Sequence, residues 1–433
     1  MELSGWGRYP KIFANISFPR TYAEVGNLVT NMPSGIARGL GRSYGDSSLA
    51  KEMIETTSFN FYREFDPIRG ILVCDAGVTL WDISNTFVPR GWFLPVTPGT
   101  RFVTIGGAIA SDVHGKNHHN AGTFCEYIYS LTILLGNGEI VIASPTNHSE
   151  LFHATCGGMG LTGVILQASI QLSSIQSSNI LQTTIKSPNL DAVLDGFEEF
   201  SGSTYSVAWI DCMANSQNLG RSLLMLGEHA EDQVFELSNK KPVSIMFNAP
   251  DLLLNSYLIK GFNNLYYHRA SKTKTIDQIS FEKYFYPLDQ LISWNRLYGK
   301  NGFLQYQFVV PKSAGREALK KILQVIVESG EGSFLAVLKI FGKKNKNYLS
   351  FPEEGYTLAL DFKISTKVFN LLNKLDQLVL GYGGKIYLAK DARMSEKIFK
   401  DSYPRWEEFN IIRAEYHAIK KFSSLQSKRI GLN

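Results

Sequence analysis

An α+β fold in two parts that share a cleft is the architecture this 433-residue sequence predicts, and three observations predict it. Short apolar strands alternate with glycine turns up to about residue 175, longer helices and strands with few glycines follow from about residue 177, and a glycine pair, Gly383-Gly384, reappears downstream. The length exceeds one ordinary core, while 44% apolar against 19% charged residues, with 37 Gly, indicates a packed globular chain rich in tight turns.

In chain order, TYAEVGNLVTNM and TLWDISNTFVPRG have helical spacing and stop near Pro or Gly. GILVCDAG, SLTILLGNGEIVIA and GVILQASIQL are strands, and Asn137-Gly138 is expected to supply a two-residue hairpin turn. SSIQSSN forms a polar linker into the second part. There ALKKILQVIVESG and STKVFNLLNKLDQLVLGYGG are helices, whereas SFLAVLKIFG and YTLALDFKI are strands.

Composition narrows the function classes. A net charge of +5 without a dense Lys/Arg stripe argues against nucleic acid as a partner. Cys74, Cys125, Cys156 and Cys212 have neither CxxC nor zinc spacing, which suits the cytoplasm and indicates no disulfide framework and no structural metal. No stretch reaches the ~18 uninterrupted apolar residues of a membrane span, so membrane contact is expected to be peripheral, at the inner face of the plasma membrane. From 240 to 275, six basic residues (Lys240, Lys241, Lys260, Arg269, Lys272 and Lys274) stand against one acid, Asp251, interleaved with Phe247, Leu252, Leu253, Leu254, Tyr257, Leu258, Phe262, Tyr266 and Tyr267. That mixture suits either a membrane surface or a solvated lid.

Glycine clusters carry the chemistry. Arg38-Gly39-Leu40-Gly41-Arg42-Ser43-Tyr44-Gly45-Asp46 lets successive N–H groups point into one concavity that can hold pyrophosphate, with Arg38 and Arg42 able to add charge, although plain turns also look like this. The run from Thr104 to Ser111 consists of small residues and leaves backbone free to lie against a large planar or phosphorylated ligand. His114, His118 and His119 follow, with no acidic helix nearby to complete a metal site. Gly158, Gly160 and Gly163 spell a literal GxGxxG, yet the helical SELFHAT precedes it and VILQASIQL follows. A nicotinamide Rossmann unit needs the reverse order and is disfavoured. Gln305 and Gln307 alternate onto one strand face, Lys339 sits among apolar neighbours, and Tyr387 and Lys390 pair an aromatic with a cation.

In this order and spacing RGLGRSYGD, PGTRFVTIGGAIASDVHGKNHH, GGMGLTG, QYQFVVP and YLAKDARM resemble the vanillyl-alcohol-oxidase-type (PCMH-type) FAD-binding family. Within it they look most similar to the oxidase subunits of decaprenylphosphoryl-β-D-ribose 2′-epimerases. The resemblance implies a two-domain fold: an FAD-binding part at 1–176, a substrate-binding cap on an antiparallel sheet at 177–382, and a return to the first part at 383–433. It implies that Ala37, Arg38, Gly39, Leu40, Gly41, Arg42, Ser43, Tyr44, Gly45, Asp46 and Ser47 hold the pyrophosphate. Gly99, Thr104, Ile105, Gly106, Gly107, Ser111, Asp112, Val113, His114, Gly163, Val164, Ile165 and Tyr387 would line the rest of the FAD.

Lys390 matches the family's essential lysine, with Tyr44 as a gate by the flavin and His114 as a further catalytic candidate; Lys116, Gln305, Gln307, Lys339 and Lys390 would bind substrate. Related oxidases attach flavin through a histidine of the first loop. Arg42, Ser43 and Tyr44 stand there instead, so the FAD is expected to be non-covalent. The implied reaction is oxidation of a polyprenyl-phospho-ribose 2′-hydroxyl to a ketone, completed as an epimerisation by a separate NADH-dependent short-chain reductase for cell-envelope polysaccharide precursors. A soluble alditol or aldonolactone oxidase is the alternative. Where mycobacterial members carry an active-site cysteine, Ala359 stands here, so inhibitors that trap that cysteine are expected to fail.

Overall fold

The computed structural model describes residues 1–238, 242–250, 255–333 and 335–432; Lys240, Lys241, Asp251, Leu252, Leu253 and Leu254 of the basic aromatic segment lie outside them. The expected helices begin at side-chain caps. Thr21 accepts from Glu24 N ahead of Tyr22–Asn31, and Thr79 with Asp82 closes a capping box on Leu80–Phe87. The fold is α+β.

Three sheets organise it. Asn15–Ser17, Glu52–Glu55 and Ile36–Arg38 form a parallel three-stranded sheet, and Ile140–Ala143, Ile128–Leu134, Val164–Gln171, Ile71–Asp75 and Tyr62–Asp66 form an antiparallel five-stranded one. The connection between Ile128–Leu134 and Ile140–Ala143 differs from expectation. Gly138 alone takes a left-handed φ of 89°, and its N–H donates to Leu135 O, so the chain turns through Gly136-Asn137 and relaxes at Gly138, one residue more than a two-residue turn.

The third sheet is antiparallel and eight-stranded, ordered Lys274–Ser280, Asn179–Ser187, Ser222–His229, Tyr205–Ile210, Ala336–Phe341, Gly355–Lys363, Phe303–Pro311 and Lys385–Ile386. Alternation gives it two unlike faces. Leu304, Tyr306, Phe308, Leu338, Leu358 and Leu360 pack behind it in one core with Leu319, Ile322, Leu323 and Ile326 of helix Lys312–Ser329 and Leu371 and Leu375 of helix Thr366–Gly381. The register Gln305↔Asp361, Gln307↔Ala359, Val337↔Ala359 and Lys339↔Thr357 puts the polar residues of those strands together on the opposite face.

Downstream segments tie back to the first sheet and to the glycine loop. Gly35 bridges Phe422, Tyr44 N donates to Ala389 O, and Arg429 bonds both carboxylate oxygens of Asp46. The buried Arg413 guanidinium donates to Leu161 O, Phe422 O and Leu432 O, satisfying three carbonyls at once.

Candidate active site

A cavity of about 720 Å³ lies between the glycine segments and the polar face of the eight-stranded sheet. Its walls gather residues from 6 to 390, including the loop Ala37–Tyr44, Ser47, Gly99, Thr104, Gly106, Gly107, Ser111, Val113, His114, Lys116, Gly163, Ile165, Gln305, Gln307, Lys339, Ala359, Tyr387 and Lys390. The volume is within the ~300–1,000 Å³ range of ligand and cofactor pockets.

The loop is built to present backbone donors. Among the described residues, the N–H groups of Gly39, Leu40, Gly41, Arg42 and Ser43 have no acceptor within the protein, so five consecutive donors remain for an anion. Arg38 braces this loop, donating to Ser4 O at 2.8 Å and Ser48 O at 3.1 Å, so its charge is engaged by carbonyls instead of facing a ligand. Arg42 lies over Trp6, 4.2 Å from the ring centroid. On the facing wall Thr104 caps the short helix Ile105–Ala110 and Gly99 lines open space, since an added Cβ there would meet nothing within 4 Å.

Five residues expected at the cofactor do not line the cavity. Ile105 and Val164 are fully buried in apolar cores, and Gly45 packs against Asp391 O, where a Cβ would come within 1.9 Å. Asp46 pairs with Arg429. Asp112, at a strained φ of 39°, accepts from Cys125 N, Asn345 Nδ2, Asn347 Nδ2 and Ser350 Oγ, and so ties the glycine segment to 345–350. Beyond His114, the histidines hold backbone: His118 Nδ1 accepts from Gly342 N and His119 Nε2 bonds Ser203 O.

His114, Lys339 and Lys390 meet at one end of the cavity. Gln307 Nε2 donates to His114 Nε2 at 3.0 Å, which leaves the ring proton on a buried, unpartnered Nδ1; burial first, then Lys339, His118 and Lys390, hold the imidazole well below its ordinary value, hence neutral. Tyr387 donates its hydroxyl proton to Ser111 O at 2.9 Å and stacks on Phe351. Lys390 Nζ stands 3.9 Å from the Tyr44 ring centroid, and Tyr44 is also held edge-on by Phe303. Burial lowers Lys390 to about 7, with Asp361 pulling it back up and Lys339 pushing it further down.

Two participants escaped sequence reasoning. Asp361 is buried, accepts from Gln305 Nε2 at 2.6 Å, and is pushed up to about 7 by burial. Its only advertisement was being the lone acid in the apolar strand YTLALDF. Trp6 is the other, far from every glycine cluster.

Lys390 is protonated below about 7 and neutral above it, so the charge at this end of the cavity changes across neutral pH.

Residues 15–144 match the FAD binding domain family. Over 100% of this chain and 97% of the relative, the sequence is 36% identical to decaprenylphosphoryl-beta-D-ribose oxidase of Mycolicibacterium smegmatis. The chain belongs to the vanillyl-alcohol-oxidase-type family of FAD-binding oxidoreductases. Shorter matches join this oxidoreductase to a putative D-arabinono-1,4-lactone oxidase of Neurospora crassa, 30% identical over 31% of this chain and 24% of that one, and to a D-lactate dehydrogenase of Archaeoglobus fulgidus, 30% identical over 31% of each.

FAD is the cofactor, and the flavoenzyme's own residues fit it: the five free donors suit a pyrophosphate, and the wall at Gly99, Gly106 and Gly107 suits a flat ring system. No histidine or cysteine occurs in 37–47. Acid precipitation is therefore expected to release all of the yellow chromophore into the supernatant, and a flavin-labelled peptide would contradict this.

Proposed function

We propose that this FAD-dependent oxidoreductase oxidises the 2′-hydroxyl of a polyprenyl-phospho-β-D-ribose to the ketone, the first half of a 2′-epimerisation that a separate NADH-dependent reductase completes. The observation that carries this reading is the set of groups converging on one cavity: two amides, Gln305 and Gln307, for sugar hydroxyls, and Lys116 and Lys339 for an anionic group, beside Lys390. The full-length similarity to a decaprenylphosphoryl-ribose oxidase supports the same substrate class.

Bound FAD supplies the hydride acceptor. The protein's part is orientation and proton handling. Gln305 is fixed by Asp361 and Gln307 by its contacts with His114 and Thr357, so both amides are held before substrate arrives. Lys390 Nζ takes the hydroxyl proton, and neutral His114 adds a donor at Nδ1. No helix among the described residues is long and apolar enough to cross a membrane, while helix Ser256–His268 exposes Tyr257, Leu258, Phe262 and Leu265, a surface suited to peripheral contact with lipid.

Anaerobic bleaching of the flavin by a panel of polyprenyl-phospho-pentoses, free pentoses, alditols and aldonolactones tests the reading. Bleaching by the ribosyl phospholipid is expected. Bleaching by a free alditol or lactone alone would replace it with a soluble sugar oxidase.

Ala359 lines the cavity opposite Gln307, and all four cysteines are buried. An electrophile aimed at a thiol in that position is expected to leave the intact mass of the wild-type protein unchanged and to add one adduct to Ala359→Cys.

A further inference from the structure

The sheet face that carries Gln305, Gln307 and Lys339 does not end with them. Trp209 pairs with Val337, Val207 with Met225, and Met225 with Thr184, so the same face continues outward over three more strands. The cavity continues with it, lined there by Gln182, Val207, Trp209, Met225, Tyr266 and Arg269. Its chemistry changes along the way. The inner stretch holds lysines and amides; the outer one is mostly aromatic and aliphatic, with Gln182 and Arg269 as its polar members.

Helix Ser256–His268 roofs this outer arm. Tyr266 meets Trp209 with ring centroids 4.6 Å apart, and the Arg269 guanidinium lies 4.0 Å from the Tyr266 ring at the exposed mouth. Outside, the roof helix shows Tyr257 at 85%, Leu258 at 51%, Phe262 at 45% and Leu265 at 74% exposure, and Phe262 stacks on Tyr266 with ring centroids 5.8 Å apart, which joins the arm to this exterior face. At the arm's inner end Lys116, one of whose Nζ donors goes to Tyr284 O, and Lys339 are half-buried lysines with no acid bonded to them among the described residues, burial lowering them to about 7 and about 8 respectively. Such a pair favours a bound anion.

We propose that the outer arm is a channel for the tail of an amphiphilic sugar phosphate, whose phosphate rests between Lys116 and Lys339 while its first isoprene units run over Met225 and Trp209 towards Arg269. This rests on the proposed substrate class and adds where the lipid goes. A nucleoside in place of the lipid would meet the Gln182 amide, whose Nε2 already donates to Thr184 Oγ1, whereas Met225 and Val207 conform to a branched hydrocarbon. Binding of the first units also draws the chain out of water, so tail length contributes directly to kcat/KM.

The test compares ribosyl phosphate carried as its methyl, geranyl and long-chain polyprenyl esters, in the FAD-loaded wild-type enzyme and in Met225→Trp and Val207→Phe, each checked for its flavin spectrum. In the wild type, kcat/KM for the geranyl ester is expected to exceed that for the methyl ester at least about tenfold. Met225→Trp fills the arm and should bring that ratio to about one; Val207→Phe narrows the same stretch and serves if the first variant does not fold. A wild-type ratio near one, or a ratio unchanged in the variants, overturns the channel while leaving the substrate class standing. Oxidation of free alditols with no ester accepted overturns both, and preference for a nucleotide-linked ribose puts a base in the arm and overturns the lipid assignment.

Discussion

A Lys390→Met variant is expected to retain its FAD yet reduce it with the sugar substrate ~10²–10⁴ times more slowly than the wild type. Methionine keeps the length and the packing against Tyr44, and removes the ammonium group from that corner of the cavity. Lys390→Arg separates the two roles a lysine can play. Arginine stays charged at every accessible pH, so a preserved rate would mean electrostatic assistance, and a lost rate would mean that Nζ takes the proton. Stopped-flow reduction without oxygen, with flavin content measured alongside, provides both readings. Full-speed reduction in Lys390→Met would remove this residue from the chemistry.

Gly41→Val is expected to give a folded protein without FAD. At φ 61° a β-branched residue is strained, and its Cβ would clash with Nη2 of the Arg38 guanidinium, which braces the loop to Ser4 through Nη2 and to Ser48 through Nη1. Displacing that brace misdirects the donors from Gly39 to Ser43. The ratio of flavin to protein absorbance should fall to background, and added FAD should no longer raise the melting temperature, whereas a ligand at 100 times its Kd stabilises the wild type by ~2.7 kcal/mol. Gly381→Ala is the control, since a Cβ there meets nothing within 4 Å. An FAD-replete Gly41→Val protein would show that the loop does not hold the cofactor.

Local physics was legible in the sequence. The spacing in TLWDISNTFVPRG announced a helix, strand alternation announced that Gln305 and Gln307 share a face, and the strand after Gly163 argued against a Rossmann reading of GxGxxG. What stayed hidden depends on partners distant along the chain. Arg38 reads as phosphate charge until Ser4 and Ser48 occupy it. Nothing in the sequence shows that one of the three Nζ donors of Lys116 goes to Tyr284 O, and Asp112 reads as a cofactor contact until Asn345, Asn347 and Ser350 claim its carboxylate. Asp361 gave a hint that periodicity discards, because an acid in an apolar strand counts as an exception until Gln305 is placed opposite it.

The glycine loop at 37–47 and the glycine segment facing it are held by residues made much later: Ala389 O receives Tyr44 N, Arg429 clasps Asp46, and Asn345 to Ser350 hold Asp112 behind the facing segment. On the ribosome these partners emerge some three hundred residues after the loop. Nascent chains therefore lack the braces of the nucleotide cradle throughout most of translation, which makes cofactor capture a late step that follows the docking of 389–429.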